Sequence, residues 1–269
     1  MKLKNSLKGK VAVVTGGNGF LGGEHVRALC ELGAYVFIAD IKHDLKNSVY
    51  VDLKKYVEPI KMDVTKQSSI RMALNKIIKK KNRIDILINN AAIDSKLDKN
   101  NLKNTSRVEN FPLSQWNLEL SVGLTGTFLC CKFFGSWMAK NNGGVILNIS
   151  SDLSVIAPDQ RLYNDGDDFS LFKNIKPITY STIKTALVGI TKYLAAYWSS
   201  SNVRVNCLSP GGVYNNQSDN FLEKIKNLIP MSRMANKNEY QGAIQFLCSE
   251  SSSYMTGQNI VIDGGRSIL

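Results

Sequence analysis

The chain has 269 residues, 43% of them hydrophobic, and a formal net charge of +12. That apolar content suits one large α/β domain and is too high for a disordered chain; no linker, repeat, apolar leader or run long enough to span a membrane is apparent. The charge would suit nucleic acid, but lysine far outnumbers arginine and no nucleic-acid motif accompanies it, so a solvated lysine-rich surface is the reading, with no nucleic-acid or membrane partner.

In chain order, residues 10–15 form a short apolar run ending in glycines, a buried strand, and residues 20–32 carry helical periodicity. Residues 34–40 read as a second strand ending in the carboxylate of Asp40. A short strand precedes Asp63-Val64, and further apolar strands fall at 84–88, 145–149, 203–208 and 259–262. Helical patterns lie between them at 68–80, 115–140, 179–199 and 237–248, the first closing on Lys79-Lys80-Lys81, where cations favour the helix dipole. Strands alternating with helices predict a Rossmann-like, doubly wound parallel sheet flanked by helices on both faces. Ligands of such sheets bind beyond the carboxyl ends of the strands, so the loops after Thr15, Asp40, Ile88, Ile149 and Leu208 are where function is expected. The five cysteines are odd in number, lie in apolar segments and lack zinc-type spacing, which reads as reduced thiols in a cytoplasm and no metal site.

After the first strand, Gly16-Gly17-Asn18-Gly19-Phe20-Leu21-Gly22 has the Gly-x-Gly-x-x-Gly spacing of a dinucleotide turn. Its glycines permit close approach of a pyrophosphate to a helix N-terminus. Asp40, 18 residues beyond Gly22, is placed to accept hydrogen bonds from an adenosine ribose and to repel a 2′-phosphate, which favours NAD over NADP; Ile41 follows it. Lys42 and His43 beside it read as loop surface. Asp63, with Val64, could meet the adenine edge or cap the next helix.

Tyr180-Ser181-Thr182-Ile183-Lys184 places a phenol and an ammonium on one helix face, one turn apart. A free tyrosine titrates near ~10; bringing it close to neutrality takes roughly 4 kcal/mol of preference for the phenolate, which a neighbouring ammonium and a cationic cofactor ring can provide. Ser151 closes the strand upstream and could hold a substrate oxygen or cap local backbone.

On these residues the chain resembles the short-chain dehydrogenase/reductase family from Lys8 to Leu269. Asn89-Asn90-Ala91-Ala92 matches the family's segment lining adenosine and ribose, and Asn148-Ile149-Ser150-Ser151 the strand that presents its catalytic serine. Tyr180 and Lys184 match the acid-base motif, and Pro210-Gly211-Gly212-Val213 the loop contacting the nicotinamide carboxamide. Residues 151–163 and 260–267 further resemble a bacterial subgroup named for flagellin modification and associated with nonulosonic-acid sugars. The glycine turn departs from the usual family pattern at Phe20, and Gly123 stands where the family's catalytic tetrad carries asparagine, a residue that holds a water in the proton relay to the lysine.

The resemblance implies one NAD-binding domain over residues 1–269 whose chemistry is hydride transfer to or from a carbinol or carbonyl carbon. Ser151, Tyr180 and Lys184 would be catalytic. Ser151 and Tyr180 lie 29 residues apart, longer than the family norm, so residues 152–178 are expected to form a substrate loop. Its polar content, with Asp159, Gln160, Tyr163, Asp165, Asp167 and Asp168, suits a hydroxyl-rich substrate. Arg161 within it could clamp an anion or pair with a nearby aspartate. Residues 214–230 are expected to form a lid, with Asn215, Asn216 and Gln217 as sugar ligands or plain loop residues. The reading is an NAD-dependent, cytoplasmic, homodimeric or homotetrameric oxidoreductase of a sugar, sugar phosphate or nucleotide sugar. Its rivals are an alcohol or 3-oxoacyl reductase of the same fold and a catalytically decayed NAD-binding scaffold.

Overall fold

Seven parallel strands form one sheet in the order β3-β2-β1-β4-β5-β6-β7: β1 Val11–Thr15, β2 Tyr35–Asp40, β3 Val57–Lys61, β4 Ile86–Asn89, β5 Gly144–Ile149, β6 Val203–Pro210 and β7 Asn259–Ile262. The computed structural model describes residues 5–42, 50–93, 105–164, 172 and 174–269; His43, Asp165, Asp167 and Asp168 lie outside them. Central strands such as β1 and β4 are buried along their whole length, as a sheet covered on both faces requires. The order of strands reverses between β1 and β4, where Val13 pairs Phe37 on one side and Leu87 on the other. That reversal opens a crevice at the carboxyl ends.

The helices are α1 Gly22–Glu31, α2 Gln67–Lys81, α3 Leu113–Lys140, α4 Ile178–Tyr197, α5 Asp219–Lys226 and α6 Gln241–Cys248. Side chains of α2, α3 and α4 pack on one face of the sheet around Phe134, Met138 and Ile146; those of α1 and α6 pack on the other around Leu29, Ile244 and Leu247. The lysines ending α2 are used locally: Lys80 pairs with Glu58 at 2.7 Å and Lys81 lies 3.4 Å from the Tyr35 ring centroid.

The structure corrects the sequence on α3. This 28-residue helix is long and apolar enough by composition to cross a membrane, with a mean hydropathy of 1.2 over its most apolar stretch. Half of that stretch is buried inside the protein, and Cys130, Cys131, Phe134 and Met138 are shut into the core, so its apolar character is that of a core helix. It is also not uniformly α-helical. Ser121–Thr125 and Cys131–Gly135 each widen into a π turn, a feature that marks strain or function and that apolar periodicity does not reveal.

Candidate active site

A cavity of about 750 Å³ runs along the carboxyl ends of β1, β2, β4, β5 and β6. One end is built by the glycine turn. Gly16 takes φ +62°, and Gly16, Gly19, Phe20 and Leu21 line the cavity. Gly17, Asn18 and Gly22, read from sequence as ligand contacts, are in the same turn but not among the residues lining the cavity. A Cβ on Gly22 would stand 2.3 Å from the Gly16 carbonyl oxygen, and one on Gly17 would stand 2.8 Å from an Ile38 methyl, so these two glycines let α1 close on β1 and β2. Asn18 donates its backbone N–H to Asp40 (3.1 Å) and its side-chain amide to the Lys42 carbonyl (2.9 Å), fixing the carboxylate that lines the cavity. Helix α1 has no side-chain cap; the Gly23 N–H bonds the Gly19 carbonyl (3.2 Å) and the His25 N–H the Leu21 carbonyl (3.0 Å), and the helix N-terminus faces the glycine turn.

Ile41, Asp63, Val64, Asn90, Ala91 and Ala92 line the same end. Asp63 serves the turn before α2 as well. It accepts from the Thr65 hydroxyl (2.6 Å) and backbone (3.0 Å), and the hydroxyl bond holds its carboxyl below the usual range. Asn90 locks the turn from β4, donating to the carbonyls of Thr15 (3.1 Å) and Gly16 (3.0 Å). The uncapped helix end, the glycine cradle and the held Asp40 carboxylate fit an adenine dinucleotide.

The other end carries the reactive groups. Tyr180 and Lys184 project from the first two turns of α4 into the cavity, with the lysine buried. The Lys184 ammonium donates to the Ile149 carbonyl at 2.8 Å and lies 5.6 Å from the Tyr180 ring centroid; Lys176 lies 3.9 Å from it. Of the two serines ending β5, Ser150 donates to the Lys184 carbonyl (2.7 Å) and braces the helix. Ser151 lines the cavity, donating to Asp152 (2.8 Å) and accepting from the Leu153 N–H (3.2 Å). Pro210, Gly211, Gly212 and Val213 close the wall from β6.

Gly123 sits buried in the first π turn of α3, against α4. A Cβ there would stand 2.8 Å from an Ile183 methyl, so an asparagine could not occupy the position without moving Ile183.

Tyr163 and Asn215 line the cavity, whereas Arg161 does not. Its guanidinium grips Asp159 through Nε (2.9 Å) and Nη2 (2.6 Å), with the side chain 65% exposed. The local ion pair, one of the two alternatives read from sequence, is the arrangement formed. The segment after Ser151 meets residues 214–230 directly: Leu162 packs with Ile225 and Ile229, and the Tyr163 and Phe221 rings lie 5.7 Å apart. Gln217 bonds within its own loop, accepting from the Asn215 N–H (2.7 Å) and donating to the Val213 carbonyl (3.0 Å). Sequence reasoning passed over Asp152, Lys176 and Arg266, all lining the cavity. Asp152 directly follows the serine, but nothing local brings Arg266 from the far end of the chain.

The family described as short chain dehydrogenase matches residues 10–163, and that described as enoyl-(acyl carrier protein) reductase matches 171–267. The chain belongs to the short-chain dehydrogenase/reductase family. It is 32% identical to an NAD-dependent glycerol dehydrogenase of Listeria innocua, covering 96% of this chain and 94% of that one. It is equally 32% identical to a 3-oxoacyl-acyl-carrier-protein reductase of Aquifex aeolicus, over 96% of this chain and 98% of the relative. A solved short-chain dehydrogenase of Leptospira borgpetersenii with bound NAD+ superposes at a TM-score of 0.83 with 32% identity, covering 99% of this chain and 97% of that one. As a short-chain dehydrogenase/reductase, the chain is an oxidoreductase of alcohol and carbonyl substrates on a fold that binds a nicotinamide cofactor.

Proposed function

We propose that the protein is an NAD-dependent oxidoreductase of a polyhydroxylated small molecule: a sugar, sugar phosphate or nucleotide sugar. One observation carries this reading: Ser151, Tyr180 and Lys184 line one end of a cavity whose other end holds the Asp40 carboxylate. Bound NAD supplies the hydride acceptor or donor. Tyr180 takes the hydroxyl proton in oxidation and returns it in reduction. The ammonium of Lys184 favours the phenolate, and Ser151 fixes the substrate oxygen beside Tyr180. Intact acid-base residues argue against a decayed scaffold. The polar groups around them, Asp152, Lys176 and Arg266, suit hydroxyl groups better than an acyl chain. The setting we infer is cytoplasmic synthesis of a bacterial surface glycan or modified flagellin, the context of the subgroup that residues 151–163 and 260–267 resemble. Turnover of polyols, hexose phosphates and nucleotide sugars, with an acetoacetyl thioester beside them, tests this. Activity confined to the thioester would assign the protein to the acyl reductases, and cofactor binding without turnover to the scaffolds.

Asp40 sets the cofactor choice. A carboxylate facing the ribose opposes a 2′-phosphate, so NAD(H) should bind at least tenfold more tightly than NADP(H), about 1.4 kcal/mol. Titration calorimetry with both cofactors decides it, and equal affinity or an NADP(H) preference rejects the assignment.

We also infer a homodimer or homotetramer. Leu113, Leu118 and Phe128 on α3 and the stacked Tyr193 and Tyr197 on α4 are at least half exposed, an apolar surface of the sort that symmetric partners cover. Light scattering should give a multiple of the 29.8 kDa chain at micromolar concentration; a strict monomer refutes this.

A further inference from the structure

Arg266 comes from beyond the last strand, yet it forms part of the wall beside Ser151. A rigid turn places it there. Asp263 accepts from the Gly265 N–H (2.9 Å) and the Ser267 N–H (2.7 Å), while Gly264 and Gly265 take φ of +68° and +90°, conformations that side chains resist. The guanidinium then reaches Asp152, Nη1 to Oδ2 at 2.9 Å, with side-chain exposures of 9% and 4%. Asp152 uses its other oxygen, Oδ1, to accept from Ser151 (2.8 Å) and from the Leu153 N–H (2.9 Å).

An ion pair this buried is a poor way to gain stability, because desolvation consumes most of its attraction. Its position suggests another use. Among the described residues the Arg266 guanidinium bonds only through Nη1, although it offers five N–H donors, and it lines the cavity. Asp152 supplies carboxylate lone pairs beside it. A fork of donors next to an acceptor satisfies a hydroxyl group in both its roles.

We propose that Arg266 and Asp152 form a second recognition point that selects a substrate with a hydroxyl on the carbon next to the reacting one. The reacting oxygen lies against Ser151 and Tyr180, and its neighbour bridges the carboxylate and the guanidinium. A neighbouring methyl or methylene leaves the cavity-facing guanidinium donors without an acceptor, which is how a polar site rejects an analogue lacking the hydroxyl. This deepens the oxidoreductase reading above and rests on it.

The test compares kcat/KM for hydroxyacetone and acetone with NADH, and for 1,2-propanediol and 2-propanol with NAD. Each pair differs only in the adjacent hydroxyl. Wild type should prefer the hydroxylated member by at least about tenfold, and R266M should cut that preference by a similar factor. R266K, which keeps the charge and fewer donors, should retain part of it. Because R266M strands a buried carboxylate, the double variant D152N/R266M removes both charges together and should lose the preference as well. Turnover of both members at equal kcat/KM in wild type, or a preference that survives in the double variant, overturns the proposal and leaves the oxidoreductase reading standing. Absence of turnover with every polyol and sugar compound overturns both.

Discussion

Tyr180→Phe should reduce turnover by at least 10²-fold while NAD affinity stays within a factor of two. The substitution removes the hydroxyl proposed to carry the proton and keeps the ring that lines the cavity. A loss of 10² is the low end for general acid-base catalysis and corresponds to about 2.7 kcal/mol in the barrier. The two cations over the ring, Lys184 at 5.6 Å and Lys176 at 3.9 Å, favour a phenolate in the native enzyme and have no counterpart to act on in the variant. Stopped-flow or steady-state kinetics on any compound the wild type oxidises, with calorimetry for NAD, make the measurement. Full activity in the variant would mean that another group moves the proton.

The second large effect concerns acid stability. His25 sits on α1 just past the glycine turn, 1% exposed, with neither ring nitrogen hydrogen-bonded among the described residues. Burial lowers its pKa from 6.5 to about 4, opposed only in part by the nearby Asn90 side chain. The folded state therefore binds fewer protons than the unfolded chain between those values, and stability falls as pH drops through that window. The full loss, reached near pH 4, is about 3 kcal/mol. His25→Leu should remove it, because the variant has no imidazole to charge in either state. Urea midpoints at pH 7 and pH 4.5 for both proteins isolate the contribution from that of the carboxylates. An equal drop in wild type and variant would show that His25 does not titrate with folding.

Much of this molecule is legible in its residues, and the failures share a cause. Strands β1, β2, β4, β5, β6 and β7 fall within two residues of their apolar runs, because a doubly covered parallel strand leaves a continuous hydrophobic signature. Helix α6 begins at Gln241 rather than 237 because the residues ahead of it are held otherwise: Glu239 accepts from the Asn236 N–H and pairs with Arg233, and Lys237 pairs with Glu24 of α1. Those bonds are tertiary and leave no periodic trace. The cavity repeats the pattern. Tyr180, Lys184, Ser151 and Asp40 announce themselves by spacing. Arg161 could be an anion clamp or an ion-pair partner by its spacing, and the structure forms the pair with Asp159, two residues away. Arg266 has no role assigned from sequence beyond lying in the 260–267 resemblance, and the turn at Gly264 and Gly265 carries it to Ser151's neighbour. Side chains that act from far along the chain are the ones spacing cannot reveal.

The bonds from Asn90 to Thr15 and Gly16 bear on how the protein folds. The glycine fingerprint is contiguous in sequence, but its shape is secured by an amide about 75 positions downstream. Strand β4 must therefore be synthesised and seated against β1 before these two bonds join those within the turn and to β2. Contacts of that span are formed late, since the entropy of closing the intervening chain is spent before they return anything. A nascent β1-α1-β2 unit would display every residue of the nucleotide motif without the two bonds from Asn90. The last two bonds that fix the turn thus belong to the paired central strands, and they arrive with the sheet rather than ahead of it.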